Sequence, residues 1–218
     1  MGLSITMLRI QTIVVSPFAQ NCRILTCDKQ GLAVVVDPGG DAALILDALG
    51  RSSARLQAIW LTHSHLDHCG AVAELKSEFD VPLLAHPIEK ELRANVERIC
   101  EMYGVPPGLM QNCPEPDTEI VGGERLQLGE EEFELLFTPG HSPGHICFYN
   151  RKASKLIAGD TLFAGSIGRT DLPGGDHRTL IRSIKEQILT LPGETAVLSG
   201  HGPDTKISAE ISSNPFLS

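Results

Sequence analysis

The spacing of hydrophobic and polar positions changes along the chain, and each change marks an element. Residues 7–15 (MLRIQTIVV), 21–27 (NCRILTC) and 31–37 (GLAVVVD) are short runs rich in β-branched and apolar side chains; the third ends in the turn signal Pro-Gly-Gly. DAALILDALG then shifts to helical spacing, with Asp41 as the expected N-cap and Gly50 just past the helix end. LQAIWLT (56–62) predicts a buried strand, 70–79 a helix, 81–86 a short strand and 88–104 a charged amphipathic helix. Residues 105–123 hold Pro106, Pro107, Pro114 and Pro116, and predict a long loop able to border a pocket. The second half restarts with strands at 125–128, 132–139, 145–150 and 155–160, then a helix over 177–191 and a strand over 194–200. Two halves of strands followed by helices predict an α/β fold in which two sheets pack face to face with helices outside. With no low-complexity linker and no short repeat, residues 1–218 are expected to form one domain.

One stretch does not fit a purely structural reading. LTHSHLDHCG (61–70) places His63, His65, Asp67 and His68 within six positions, although the chain has only eight histidines. Chance gives that pattern on the order of 10⁻⁴ to 10⁻³ per chain of this composition. In an extended segment the side chains at i, i+2 and i+4 share a direction, so His63, His65 and Asp67 can face one cavity. His68 is expected at the start of the next helix, where the positive end of the dipole favours the neutral, metal-binding imidazole. Three imidazoles and a carboxylate suit Zn²⁺, Fe²⁺ or Mn²⁺. His141 (in TPGHSPGH), Asp160 (ending KLIAGD) and His201 (ending AVLSGHG) also follow predicted strands. Together they make five histidines and two carboxylates, too many for one tetrahedral ion and enough for two. His86, His145 and His177 are expected in structural roles: His145 as a hydrogen-bonding support, His177 capping a helix or bordering the pocket.

Composition narrows the function classes. A hydrophobic content of 42%, a charged content of 21% and a net charge of −9 describe an ordinary globular chain with no basic face for nucleic acid. An anionic substrate remains compatible, because metal ions make a site locally positive. Six scattered cysteines without a C-x-x-C pair predict reduced thiols and a cytoplasmic protein. The N-terminus lacks the charged and apolar regions of a signal peptide, Met7 offers an alternative start after residues 1–6, and no apolar run reaches the roughly 18 residues of a membrane helix.

THSHLDH, TPGHSPGH, AGDTLF and SGHG, in that order and spacing, resemble the motifs of the metallo-β-lactamase superfamily. The resemblance covers nearly the whole chain and implies a four-layer αββα sandwich with a dinuclear metal site at one edge. It assigns His63, His65 and His141 to one metal, Asp67, His68 and His201 to the other, and Asp160 between them. GDTLFAGSIGRTD and the terminal HGPDTKISAEISSNPF look like the short single-domain relatives of the type II glyoxalases, or hydroxyacylglutathione hydrolases. In that group a basic residue nine positions after the bridging aspartate helps hold the glutathione carboxylate, and Arg169 stands there. Two departures bear on the substrate: Asp171 replaces an expected tyrosine, and only 17 residues follow His201, so the C-terminal helical domain of the longer glyoxalases is missing.

The resemblance therefore implies a hydrolase with two divalent cations, Zn²⁺ first and iron or manganese as alternatives, that cleaves a small-molecule thioester such as S-lactoylglutathione. A hydroxide generated between the cations would attack the carbonyl, with Asp67 orienting it and Arg169 anchoring a substrate carboxylate. A rival is an iron persulfide dioxygenase of the same fold, whose single iron would use His63, His141 and Asp160. A third is a metal-binding module without turnover. Neither a nucleic-acid nor a membrane partner is implied, and the sequence carries no signal of oligomeric state.

Overall fold

In the computed structural model, which describes residues 8–217, the apolar runs of the two halves form two six-stranded sheets. The first runs in the order β1 (Leu8–Val15), β2 (Gln20–Cys27), β3 (Leu32–Val36), β4 (Arg55–Trp60), β5 (Leu83–Ala85) and β6 (Thr118–Glu119). Its pairs are antiparallel from β1 to β3 and parallel from β3 to β6. Met7, expected to open the first strand, and residues 1–6 lie outside the described residues. Helices α1 (Ala42–Ser52), α2 (Leu66–Cys69), α3 (Val72–Glu78), α4 (Lys90–Ala94) and α5 (Val96–Tyr103) belong to this half.

The second half contributes β7 (Arg125–Leu128), β8 (Glu131–Phe137), β9 (Ile146–Asn150), β10 (Lys155–Gly159), a small hairpin of β11 (Leu162–Phe163) and β12 (Ser166–Ile167), then β13 (Ala196–Ser199) and β14 (Thr205–Lys206). Its sheet order is β14-β13-β10-β9-β8-β7, with the single parallel pair at β10 and β13. Helices α6 (His177–Ser183) and α7 (Ile207–Ser213) cover its outer face.

Three apolar clusters separate four layers, which is the αββα arrangement. Because successive strand residues point to opposite faces, β3 sends Ala33 and Val35 outward against Ile45 and Leu49 of α1, and Val34 and Val36 inward between the sheets. Trp60, Phe133 and Phe148 meet in that inner layer, with ring centroids 5.3 Å apart in both pairs. The third cluster sets Cys147, Tyr149 and Val197 against Leu180, Ile184 and Ile207. On β4 the alternation slips: Leu56 faces outward and Ala58 inward, because the register to β3 shifts by one residue at Gln57.

Several boundaries depart from expectation for local reasons. Asp41 is no side-chain cap; its carboxylate accepts instead from the Ser16 amide in the β1–β2 turn, and α1 runs past Gly50 to Ser52. The helix expected over 88–104 breaks at Asn95, whose side-chain amide donates to the Glu91 carbonyl and competes with the helical ladder. Residues 118–119 within the expected loop add the edge strand β6. The helix expected over 177–191 passes into a π-helical turn at Ile184–Ile188, while β11, β12, β14 and α7 were not anticipated.

Candidate metal centre

Every element that carries a candidate donor ends at the same edge of the sandwich. Beyond β4, the Leu61 amide still donates to Leu84 and the Thr62 amide to Asp37, so the chain stays extended until it delivers His63. His65 precedes α2, which holds Asp67 and His68. His141 lies in the connection between β8 and β9, Asp160 follows β10, and His201 follows the parallel neighbour β13. The two sheets are tied together at this point by the Asn21 amide donating to the Gly200 carbonyl at 2.7 Å and by a bridge between Gln20 and His201.

All seven expected donors converge. His63 Nε2 lies 3.1 Å from His65 Nδ1 and 3.2 Å from His141 Nε2. Asp67 Oδ2 lies 3.1 Å from His201 Nε2, and Asp160 reaches His68 Nε2 at 3.4 Å and both His141 Nε2 and His201 Nε2 at 3.5 Å. Three overlapping sets keep their donor atoms within 4.8 Å of one another: His63, His65 and His141; His63, His68 and Asp160; Asp67, His68 and His201.

Outward-facing ring nitrogens are held by other groups, which fixes the direction of the inward ones. His141 Nδ1 donates to the Arg169 carbonyl at 2.8 Å, and His201 Nδ1 to the Phe18 carbonyl at 3.1 Å. His68 Nδ1 donates to Asp37 Oδ2 at 3.0 Å. His63 Nδ1 donates to Thr62 Oγ1, whose hydroxyl in turn donates to Asp37 Oδ2. Asp37 thus directs two of the rings. It ends β3 at a φ of 53° and is 3% exposed, so those contacts, with the Thr62 amide, are what balance its buried charge. Its signal in the sequence is a carboxylate directly after the five apolar residues of β3.

His145 is likewise more than filler. Its Nε2 accepts from the Asp160 amide at 3.1 Å, while Nδ1 meets the hydroxyls of Thr138 and Thr161. Burial and the neighbouring His141 push its pKa well down, which keeps Nε2 an acceptor. Glycines let the backbone close in: a Cβ on Gly39 would overlap the Asp67 carbonyl, and one on Gly200 the Asp160 carboxylate.

The donor set fits cations. His68 Nε2 and Asp160 Oδ1 are buried, face the cluster and make no hydrogen bond. Burial holds the His63 and His65 rings neutral, the latter pushed down to about 3 with help from His141. For His68 the carboxylates around the ring outweigh the helix-dipole effect. Burial lowers its pKa, but the charges of Asp160 and Asp67, with the bond to Asp37, raise it by more. Asp160 is the mirror case: burial raises it, and His68, His141 and His201 depress it far more.

Residues 15–201 match the model of the metallo-β-lactamase superfamily. The chain belongs to that superfamily. Relatives of the same length include a Bacillus subtilis protein named probable metallo-hydrolase YqgX, 42% identical over 93% of this chain and 94% of that one. Another is the Haemophilus influenzae protein named hydroxyacylglutathione hydrolase GloC, 38% identical over 96% of this chain and 98% of that one. The crystal structure of BLEG-1, a B3 metallo-β-lactamase, superposes with a TM-score of 0.88 at 38% identity, covering 96% of this chain and 100% of that one. The di-iron-bound form of TTHA1623 superposes at 0.87 and 36% identity, covering 95% and 100%. The superfamily's metal-dependent hydrolases are therefore the frame for this site.

Above the donors lies a cavity of about 530 Å³ lined by His65, Asp67, His141, Asp160 and His201 at its base. Its rim is formed by α5 rather than by residues 105–123, none of which lines it among the described residues. Arg169 lines the cavity, but its guanidinium is held by Asp171 through two 2.8 Å contacts. His86 accepts from the Ile88 amide and stacks on Phe137, away from the donors. His177 opens α6 without capping it; Asp176 does so, accepting from the Thr179 amide. No helix among the described residues is long and apolar enough to cross a membrane.

Proposed function

We propose that this superfamily member is a dinuclear metallo-hydrolase that cleaves thioesters, S-lactoylglutathione being the test substrate. The carrying observation is the pair of complementary donor sets, His63–His65–His141 and Asp67–His68–His201, with Asp160 reaching both beneath an open cavity. The length-matched relative named for hydroxyacylglutathione hydrolysis supports the thioester. Zn²⁺ is the proposed metal, with iron or manganese as alternatives; six buried free cysteines support a reducing, cytoplasmic setting. We read the three stacked cores as one domain.

When bound, two adjacent divalent cations lower the pKa of a shared water towards neutrality and polarise a carbonyl oxygen. The protein's part is positioning. Burial opposes ionisation of Asp67, but the charge of His68 and the 3.1 Å bond from His201 keep its carboxylate ionised, an acceptor only. That lets Asp67 orient a water O–H away from the carbonyl under attack. Arg169 is the proposed anchor for a polar substrate group. A thiolate leaves with little protonation, so no strong general acid is needed.

A chelator-sensitive loss of thioester absorbance from S-lactoylglutathione tests the reading. Oxygen uptake with glutathione persulfide and one iron per chain would replace it with the dioxygenase, for which His65, Asp67, His68 and His201 would be superfluous. Full metal loading without turnover on any thioester or ester would leave a binding module.

A further inference from the structure

The walls of the cavity above the donors carry chemistry that hydrolysis alone does not require. Phe18 comes from the β1–β2 turn, Ile99, Met102 and Tyr103 from α5, Phe163 from β11 and Leu172 from the loop between β12 and α6. Phe18 and Tyr103 meet edge to face, their centroids 6.1 Å apart. Met102 is 77% exposed and Tyr103 52% exposed. Single exposed apolar side chains are ordinary, but these converge on one concave surface directly over the reacting position. Arg169 is the one lysine or arginine among the described residues lining the cavity. Asp171 occupies the Nε–Nη2 edge of its guanidinium in a bidentate pair, so the two together present no net charge, and a substrate carboxylate approaching the remaining edge also meets Asp171. A substrate recognised through carboxylates finds no unanswered cation on these walls.

We propose that the site takes thioesters bearing an extended, uncharged apolar acyl chain, seated against Phe18, Ile99, Met102, Tyr103, Phe163 and Leu172. This deepens the hydrolase reading, since it rests on the same cavity being the substrate site. The metal donors handle the carbonyl; the apolar wall binds the chain by removing it from water, without a directional contact.

The test uses two series built on N-acetylcysteamine, an uncharged thiol: acyl thioesters from acetyl to octanoyl, and unreactive S-alkyl thioethers from ethyl to octyl. On the metal-loaded protein, kcat/KM for the first should rise roughly two- to fourfold per added methylene, and Kd for the second, by calorimetry, should fall by the same factor until the cavity is filled. Met102→Glu should flatten both trends while leaving the melting temperature unchanged, because Met102 is exposed. Asp171→Asn should raise kcat/KM for S-lactoylglutathione relative to the neutral thioesters by freeing Arg169. Length-independent Kd values, or a wild-type preference for S-lactoylglutathione over the octanoyl thioester, overturn the proposal. Thioethers that bind with the predicted trend while no thioester is cleaved would sink the hydrolase reading and leave apolar recognition standing.

Discussion

Replacing Asp37 with Asn exchanges one oxygen for an amide nitrogen and leaves the backbone undisturbed, since Asn tolerates the observed φ of 53° as Asp does. The three contacts of Asp37 leave the amide no good orientation. Oδ1 accepts from the Thr62 amide, while Oδ2 accepts from both the Thr62 hydroxyl and His68 Nδ1. With nitrogen in the Oδ2 position, its N–H meets the His68 Nδ1–H donor to donor, so the ring proton is driven to Nε2, the atom aimed at Asp160 and Asp67. The Thr62 hydroxyl is pushed towards His63 in the same way. With nitrogen in the Oδ1 position, two N–H groups oppose each other at 2.7 Å. Losing a hydrogen bond to a buried charge costs about 1.5–3 kcal/mol. That converts to roughly a 10- to 100-fold loss of metal affinity, the range expected for partners that orient a ligand. Thr62→Val removes only the neutral link to His63, worth about 0.5–1.5 kcal/mol, so it should cost less. Competition against a chromophoric chelator, with circular dichroism to confirm folding, reads both variants. Unchanged affinity in Asp37→Asn, or a larger loss in Thr62→Val, refutes the reasoning.

Asp160→Asn should lose metal and activity together, because its carboxylate is the group that reaches His68, His141 and His201; dinuclear binding retained by that variant would contradict its bridging role. Protons and metal should compete. His68 is held protonated against burial by Asp160 and Asp67, and His201 likewise against burial by its bond to Asp67 and the charge of Asp160. Both folded pKa values are raised, so their protons are bound below about 6.5 and are lost only as pH climbs through the raised values. Metal uptake at neutral pH should therefore release protons and weaken as pH falls, seen as a calorimetric enthalpy that varies with the buffer's ionisation heat; a buffer-independent enthalpy would refute it. Phe148→Ala should cost about 3–5 kcal/mol in urea unfolding, since the ring is fully buried against Trp60, the chain's single tryptophan and the natural fluorescent probe. A loss below about 1 kcal/mol would mean that the inner layer repacks freely.

The parts of this fold legible from sequence are those where one side chain's direction follows from its neighbours. The apolar run 31–37 marked β3, and the strand ends led to the candidate donors, although Asp67, expected in extended chain with His63 and His65, lies in the first turn of α2. What escaped needed partners distant in sequence. Asp41 looks like a helix cap until the Ser16 amide competes for it, and Asp37 looks like a turn residue until Thr62 and His68 are brought to it. TKISAEISS lacks an apolar run long enough to announce β14 and α7, which are held by Ile207 packing into the outer core.

The donor sets straddle the joint between the sheets: His63, His65, Asp67 and His68 come from one half of the chain, and His141, Asp160 and His201 from the other. Neither His63–His65–His141 nor Asp67–His68–His201 exists within one half. A cation therefore gains its full coordination only from a molecule whose halves have already docked, and it cannot reward a half-built intermediate. Its binding energy accrues to the finished fold and shows up as slower opening rather than faster assembly. Metal occupancy would, in that sense, report on assembly: the bridge between Gln20 and His201 spans the joint, and the donor set of His201 is complete only when that joint is made.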